Sequence, residues 1–275
     1  MTGVATLTLP SQPCYQYPET FSSSQQLTVF CDFDGPIVDV SNRYYATYQQ
    51  ALIDTQTRYR ARGISLPIQM LSKVQFWQRK QDRVPDVEIA MRSGLQGEQI
   101  ETFLERVLEI VNQPVLLQKD RVQSEARRAL GLFHSQGVRL VLVTLRASSQ
   151  ATQILRNHGL TRLFSGIYGT QDQDMAYRNY AEAKTQLLAK AIAEQIPSTE
   201  KQPLAWMVGD TEADLLAGQA MKVPTIALTC GIRSHYYLKQ FQPTYIASDL
   251  LSAAHYLLNV TQQVSSQKNY ASPPF

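Results

Sequence analysis

The stretch Leu27-Thr28-Val29-Phe30-Cys31-Asp32-Phe33-Asp34-Gly35-Pro36-Ile37-Val38-Asp39 decides how the rest of the chain is read. A run of apolar and β-prone residues leads into two carboxylates two positions apart, and the chain then turns at Gly-Pro. In an extended segment, residues two apart point to the same side. Asp32 and Asp34 are therefore expected to leave a strand end side by side, unless the turn has already begun. Two bare carboxylates that close repel each other, so a bound cation or a shared proton must offset the cost. That local problem points to a metal site whose other parts lie elsewhere in the chain.

Upstream, residues 1–25 are rich in Ser, Thr, Gln and Pro without a clear period, and a poorly ordered arm is expected. Downstream, from 40 to 118, apolar residues recur at helical spacing and strand patterns are absent. Ser41 opens a helix through Tyr44, Tyr48 and Leu52 to Gly63. Others fall across Met70–Trp77, from Pro85 through Met91, and after Gly97 with Ile100, Phe103, Leu104, Val107 and Val111. This segment reads as an all-helical insert.

From 119 to 260 the pattern alternates. Strands are expected at Val138–Thr144, Ile167-Tyr168, Leu204–Val208, Val223–Leu228 and Tyr245-Ile246. Helices fill the intervals, and a final one runs from 249 to about 259. Such alternation calls for an α/β fold, a doubly wound, Rossmann-like parallel sheet with helices on both faces. Residues 26–39 and 119–260 then form the core, 40–118 a smaller helical domain inserted after the first strand, and 261–275 a tail.

Composition narrows the function classes. With 275 residues there is ample material for a buried core, and 18% charged with 44% hydrophobic residues is ordinary for a globular protein. A formal charge of +3 is too mild to argue for nucleic acid or an anionic membrane, and fits one basic pocket for a small anion. Cys14, Cys31 and Cys230 show no CxxC spacing, so neither a disulfide framework nor a zinc site is indicated, and a reducing, cytoplasmic home is expected. No basic stretch followed by an apolar run marks a signal peptide, and no apolar run approaches the ~18–20 residues of a membrane span.

Ligands of such sheets bind outside the carboxyl ends of the strands. Three endings there carry chemistry: Asp32 and Asp34, Thr144, and Gly209-Asp210-Thr211-Glu212-Ala213-Asp214. Alone, each has a plain structural reading as a turn, a strand-end hydroxyl or a helix cap. Together, in this order and with Lys184 in Glu182-Ala-Lys-Thr-Gln, they resemble the four motifs of the haloacid dehalogenase (HAD) superfamily. Leu163-Phe-Ser-Gly-Ile-Tyr-Gly169 and Val223-Pro-Thr-Ile-Ala-Leu-Thr-Cys-Gly231 are similar to its phosphoglycolate-phosphatase-like branch, whose C1 helical cap the insert resembles.

The resemblance implies Mg²⁺-dependent hydrolysis of a small phosphorylated metabolite through an aspartyl-phosphate. Asp32 is then the nucleophile and Asp34 the general acid and base. Mg²⁺ is held by Asp32, the backbone carbonyl of Asp34, and Asp210, with Asp214 behind them supporting the metal or Lys184. Thr144 donates to a phosphoryl oxygen and Lys184 offsets transition-state charge. Gly35, Arg146 and Lys80 are candidates to touch substrate. A phosphotransferase of the phosphoglucomutase type, or a phospho-ligand-binding protein without turnover, are the alternatives on this fold. Pro36 stands where the family has Thr or Val, removing an N–H and fixing φ. Lys190 competes with Lys184 for the lysine role, and Asp39 reads as a polar residue at the hinge into the cap.

Overall fold

The computed structural model describes residues 26–172, 175–197 and 204–269, with side chains as far as Gln262. The expected N-terminal arm, 1–25, lies outside the described residues. Six parallel strands form one sheet: β1 (Thr28–Cys31), β4 (Arg139–Ala147), β5 (Gly166–Thr170), β6 (Ala205–Gly209), β7 (Thr225–Leu228) and β8 (Tyr245–Ala247). Their spatial order is β5-β4-β1-β6-β7-β8. A parallel strand covered on both faces needs apolar residues at every position, not alternate ones. This is why β1, central in the sheet, reads Thr-Val-Phe-Cys and is buried throughout.

Two small strands, β2 (Val38–Asp39) and β3 (Arg121–Val122), pair antiparallel and carry the chain out of the core and back. Between them lie α1 (Ser41–Arg60), α2 (Lys73–Gln81), α3 (Asp86–Arg92), α4 (Glu98–Ile110) and α5 (Pro114–Leu117), which make the helical cap. Asp39 accepts the N–H of Ser41 at 2.8 Å, tying down the first turn of α1. Ser72 and Gln75 start α2 with reciprocal hydrogen bonds, a capping box. Inside the cap, Tyr48 of α1 stacks on Phe76 of α2 with ring centroids 4.8 Å apart.

The remaining helices are α6 (Ser124–Ser135), α7 (Ser148–Asn157), α8 (Met175–Arg178), α9 (Ala181–Gln195), α10 (Glu212–Ala220), α11 (His235–Lys239) and α12 (Leu250–Asn269). They cover both faces of the sheet. Val29 and Cys31 of β1 join the cluster holding Phe133 of α6 and Leu257 of α12, while Phe30 packs with Leu188 and Ala191 of α9. The final helix runs on to Asn269, where a tail was expected from 261. Its continuation contains Gln, Ser and Val but no glycine or proline, so nothing in it breaks a helix. Among the described residues, no helix is long and apolar enough to cross a membrane.

Candidate active site

The carboxyl ends of β1, β4 and β6 meet on one rim. Asp32 follows β1 directly, and its N–H still donates to the carbonyl of Val208 on β6, at 2.9 Å. The turn then begins: Phe33 carbonyl accepts from both Ile37 and Val38, and Gly35 N–H donates to Val38 carbonyl at 2.8 Å. These three donors close the loop, so the N–H that Pro36 lacks is not one the loop uses. Because the strand ends at Cys31, Asp32 and Asp34 do not stay side by side on a common partner. Asp32 faces Lys184, whereas Asp34 faces Arg43 and Arg146.

Lys184 projects from the start of α9. Its Nζ lies 2.7 Å from Asp32 Oδ1 and 2.8 Å from Asp214 Oδ1, and donates to Val143 carbonyl at 3.0 Å. Burial alone would lower its pKa, but Asp214 and Asp32 outweigh burial and raise it. Lys190 is exposed and lies 4.0 Å from Glu194. Thr144, buried on β4, accepts the N–H of Arg146 on its hydroxyl at 3.1 Å and lines the cavity above Asp32.

Asp210 leaves the end of β6, and Asp214 follows in the first turn of α10. Thr211 donates to Asp214 Oδ2 through both its N–H and its hydroxyl, at 3.1 and 2.8 Å, which starts α10. The helix-cap reading and the site reading of this motif therefore hold together. One carboxylate oxygen from each of Asp32, Asp210 and Asp214 lies within 4.8 Å of the others. Asp210 Oδ2 accepts the N–H of Ile232 at 2.6 Å, while its Oδ1 is buried without a hydrogen-bond partner among the described residues.

Burial pushes the Asp32 carboxyl up to about 7 and the Asp210 carboxyl well above the usual range. Three buried carboxylates against one lysine leave negative charge that a small hard cation would neutralise, and an orphaned oxygen that it would take up. The residues fit a small divalent cation. Two glycines make room for this packing: a Cβ on Gly35 (φ +101°) would stand 2.1 Å from Asp210 Oδ2, and one on Gly231 2.0 Å.

Residues 27–222 match the haloacid dehalogenase-like hydrolase family. The chain belongs to that family. It is 30% identical to a phosphoglycolate phosphatase from Aliivibrio fischeri over 48% of this chain and 55% of the relative. It is 29% identical to pyrophosphatase PpaX from Halalkalibacterium halodurans over 42% of this chain and 49% of that protein. The matches thus span about half the length of these curated relatives. In fold, the chain is similar to a haloacid dehalogenase-like hydrolase from Streptococcus pneumoniae, with a TM-score of 0.58 at 20% identity, covering 84% of this chain and 98% of that one.

In this haloacid dehalogenase-like chain the cap comes down on the rim through specific polar contacts. Lys80 is buried, paired with Asp86 at 2.9 Å and within 4.7 Å of the Tyr177 ring centre. Arg83 reaches Glu212 of the core at 2.9 Å, and Arg233 holds the same carboxylate at 2.8 Å while donating to Lys80 carbonyl. The N–H of Ser234 donates to Gln81 carbonyl. A cavity of about 30 Å³ remains, lined by Asp32, Thr144, Arg146 and Lys184 from the core and Tyr44, Lys80 and Arg83 from the cap.

Of the expected site residues, Asp32, Lys184, Asp210 and Asp214 stand in direct contact or within a few ångströms. Thr144, Arg146 and Lys80 line the cavity, and Gly35 lies against Asp210. Lys73, at the start of the same helix as Lys80, donates instead to Asn42 at an exposed position. Sequence reasoning missed Arg43 and Asp120. Arg43 is buried and contacts Asp34 at 3.1 Å, and Asp120 contacts Arg43 and Arg146. One signal was present: α1 has no acid in its first turn but carries Arg43 there, where the helix dipole disfavours a cation.

Proposed function

We propose that this chain is a Mg²⁺-dependent phosphatase cleaving small phosphomonoesters through an aspartyl-phosphate on Asp32. The observation that carries the reading is Asp32 itself: a buried carboxylate at a strand end, 2.7 Å from Lys184 and within reach of Asp210 and Asp214. The phosphatase and pyrophosphatase names of its curated relatives favour phosphoryl chemistry.

In this reading an oxygen of Asp32 attacks phosphorus, and the bond from phosphorus to the ester oxygen breaks. Asp34, protonated when the substrate binds, gives that proton to the departing alkoxide. Asp34, now a carboxylate, takes a proton from water as that water attacks the phosphorus, and the bond to Asp32 breaks to release phosphate. Lys184 and the Thr144 hydroxyl face the phosphoryl oxygens as charge develops on them. Asp32 and Asp210, with the carbonyl of Asp34, would hold Mg²⁺, which when bound supplies positive charge against those oxygens, while Asp214 supports Lys184 from behind. Arg146 lines the cavity and its Nη1 has no hydrogen-bond partner among the described residues, which fits a substrate contact. Lys80 supplies a second cation from the cap side.

A cavity of about 30 Å³ holds no more than a water or two, so entry of a substrate requires the cap to lift from the rim. The test is phosphate release from a panel including 2-phosphoglycolate, hexose phosphates and pyrophosphate, with and without Mg²⁺. Turnover of at least one compound, lost in Asp32→Asn, is expected. Full activity of Asp32→Asn would sink the assignment, and isomerisation of a sugar phosphate without phosphate release would favour phosphotransfer instead.

A further inference from the structure

Both carboxylate oxygens of Asp34 are held by arginines from separate parts of the chain. Arg146 Nε lies 2.8 Å from Oδ1, and Arg146 Nη2 donates to Oδ2 at 3.1 Å. Arg43 Nη2 donates to the same Oδ2 at 3.1 Å. Asp120 contacts both guanidiniums as well, with Oδ1 3.0 Å from Arg43 Nε and Oδ2 2.6 Å from Arg146 Nη2, which it shares with Asp34. Two carboxylates and two guanidiniums thus alternate around a closed ring, every side chain 8% exposed or less.

Formal charges in the ring sum to zero with Asp34 ionised, the form it takes once the leaving group holds its proton, and each arginine is fixed by a second carboxylate as well as by Asp34. Arg43 also donates from Nη1 to Asn112 at 3.1 Å. Burying four charges seldom adds stability over apolar packing of the same volume, so stability alone is a poor reason for the ring. Its placement gives a better one. Arg43 lies on the helix that begins as the chain enters the cap, Asp120 just before β3 where the chain returns, and Asn112 after α4. Entry to and exit from the cap are therefore joined on the side chain assigned as acid and base.

We propose that Arg43 and Asp120 are positioning residues for Asp34. Acting directly and through Arg146, they fix its carboxyl where a proton can pass to the leaving group, and they make that placement depend on the cap. The proposal rests on the reading of Asp34 given above. Neither residue lines the cavity above Asp32.

A leaving group of low basicity departs without a proton, whereas an alkoxide needs one. Misplacing Asp34 should therefore harm alkyl phosphates more than aryl phosphates with good leaving groups. Arg43→Lys and Asp120→Asn are assayed in the full chain with Mg²⁺ on 2-phosphoglycolate and p-nitrophenyl phosphate. The quantity compared is kcat/KM, which reports the steps through phosphoryl transfer and not the later attack of water. The ratio of the two values is independent of the fraction folded. It is expected to fall by about tenfold or more in both variants, as an acid–base contribution requires, and no further than in Asp34→Asn. An equal loss on both substrates overturns the proposal. If neither variant yields folded protein, Asn112→Ala perturbs the same arginine more gently: a lowered ratio supports the proposal and an unchanged one overturns it. Wild-type protein that turns over neither substrate fails the phosphatase reading instead.

Discussion

Lys184 Nζ bridges Asp32 and Asp214, 2.7 Å from the first and 2.8 Å from the second, with all three side chains 8% exposed or less. Removing the cation strands two buried carboxylates, and breaking a buried pair by deleting one partner costs about 3–5 kcal/mol. Lys184→Met is expected to lower the urea midpoint accordingly and to abolish turnover. Lys190→Met, at an exposed position, should leave both unchanged. Equal effects of the two substitutions would refute the assignment of the motif lysine.

Gly35 and Gly231 press on Asp210 from two sides. At Gly35 a methyl group would meet the carboxylate and also carry a positive φ, a conformation that costs an L-residue more than about 1 kcal/mol. Either glycine changed to alanine should push Asp210 out of the carboxylate cluster. Mg²⁺ affinity, read by calorimetry, is expected to fall by at least about tenfold, the scale of changes beside a metal ligand. Wild-type affinity in both variants would show that the close approach to Asp210 has no bearing on metal binding.

Strand ends and the order of motifs were legible because each is a local pattern: an apolar run, then chemistry. The choice between Lys184 and Lys190 was not, since both lie on one helix and only tertiary packing turns one toward Asp32. Lys80 was half legible. It lies four residues after buried Phe76, hence on the same face of α2, yet a lysine on an apolar face is ordinarily read as reaching out to water. The Arg43–Asp120 contact was beyond reach, because its partners sit at opposite ends of the cap and meet only once β2 pairs with β3. Asp34 parts from Asp32 for a backbone reason: β1 ends at Cys31, so the turn has already begun between the two carboxylates, the alternative that the sequence left open.

Glu212 holds two arginines of unequal worth. Arg233 is 4% exposed and Arg83 41%. Screening by water limits the outer pair to less than about 1 kcal/mol, whereas stripping Arg233 of its counter-ion falls in the buried range of about 3–5 kcal/mol. Glu212→Gln should thus destabilise far more than Arg83→Gln in urea titrations. Despite the opposing effect of burial, hydrogen bonding and charge from Arg233 hold the Glu212 carboxyl below its ordinary 4.5. Its contribution is present above that value and is lost as pH falls through the lower, folded value. The wild-type and Glu212→Gln stabilities should therefore converge in acid, and a constant difference between pH 7 and pH 3 would contradict this account.

Metal and pH are linked through Asp32. Without a cation, burial raises its carboxyl from 3.8 to about 7, so between those values the folded state binds the proton that the unfolded state has released. Stability from this group is full below pH 3.8 and falls as pH rises toward about 7, which is the reverse of a salt-bridged aspartate. Asp210, raised by burial in the same direction, adds to the trend. A divalent cation competes with these protons, so Mg²⁺ should bind more tightly, and raise Tm more, at pH 8 than at pH 6. In EDTA, Asp32→Asn should lose less Tm than the wild type between pH 5 and pH 8, because the amide has no charge to bury. The check is a thermal melt series of both proteins across that range, with EDTA or Mg²⁺. A Mg²⁺-induced shift independent of pH would mean that the carboxylates are already ionised in the folded protein, with Lys184 sufficient to hold them.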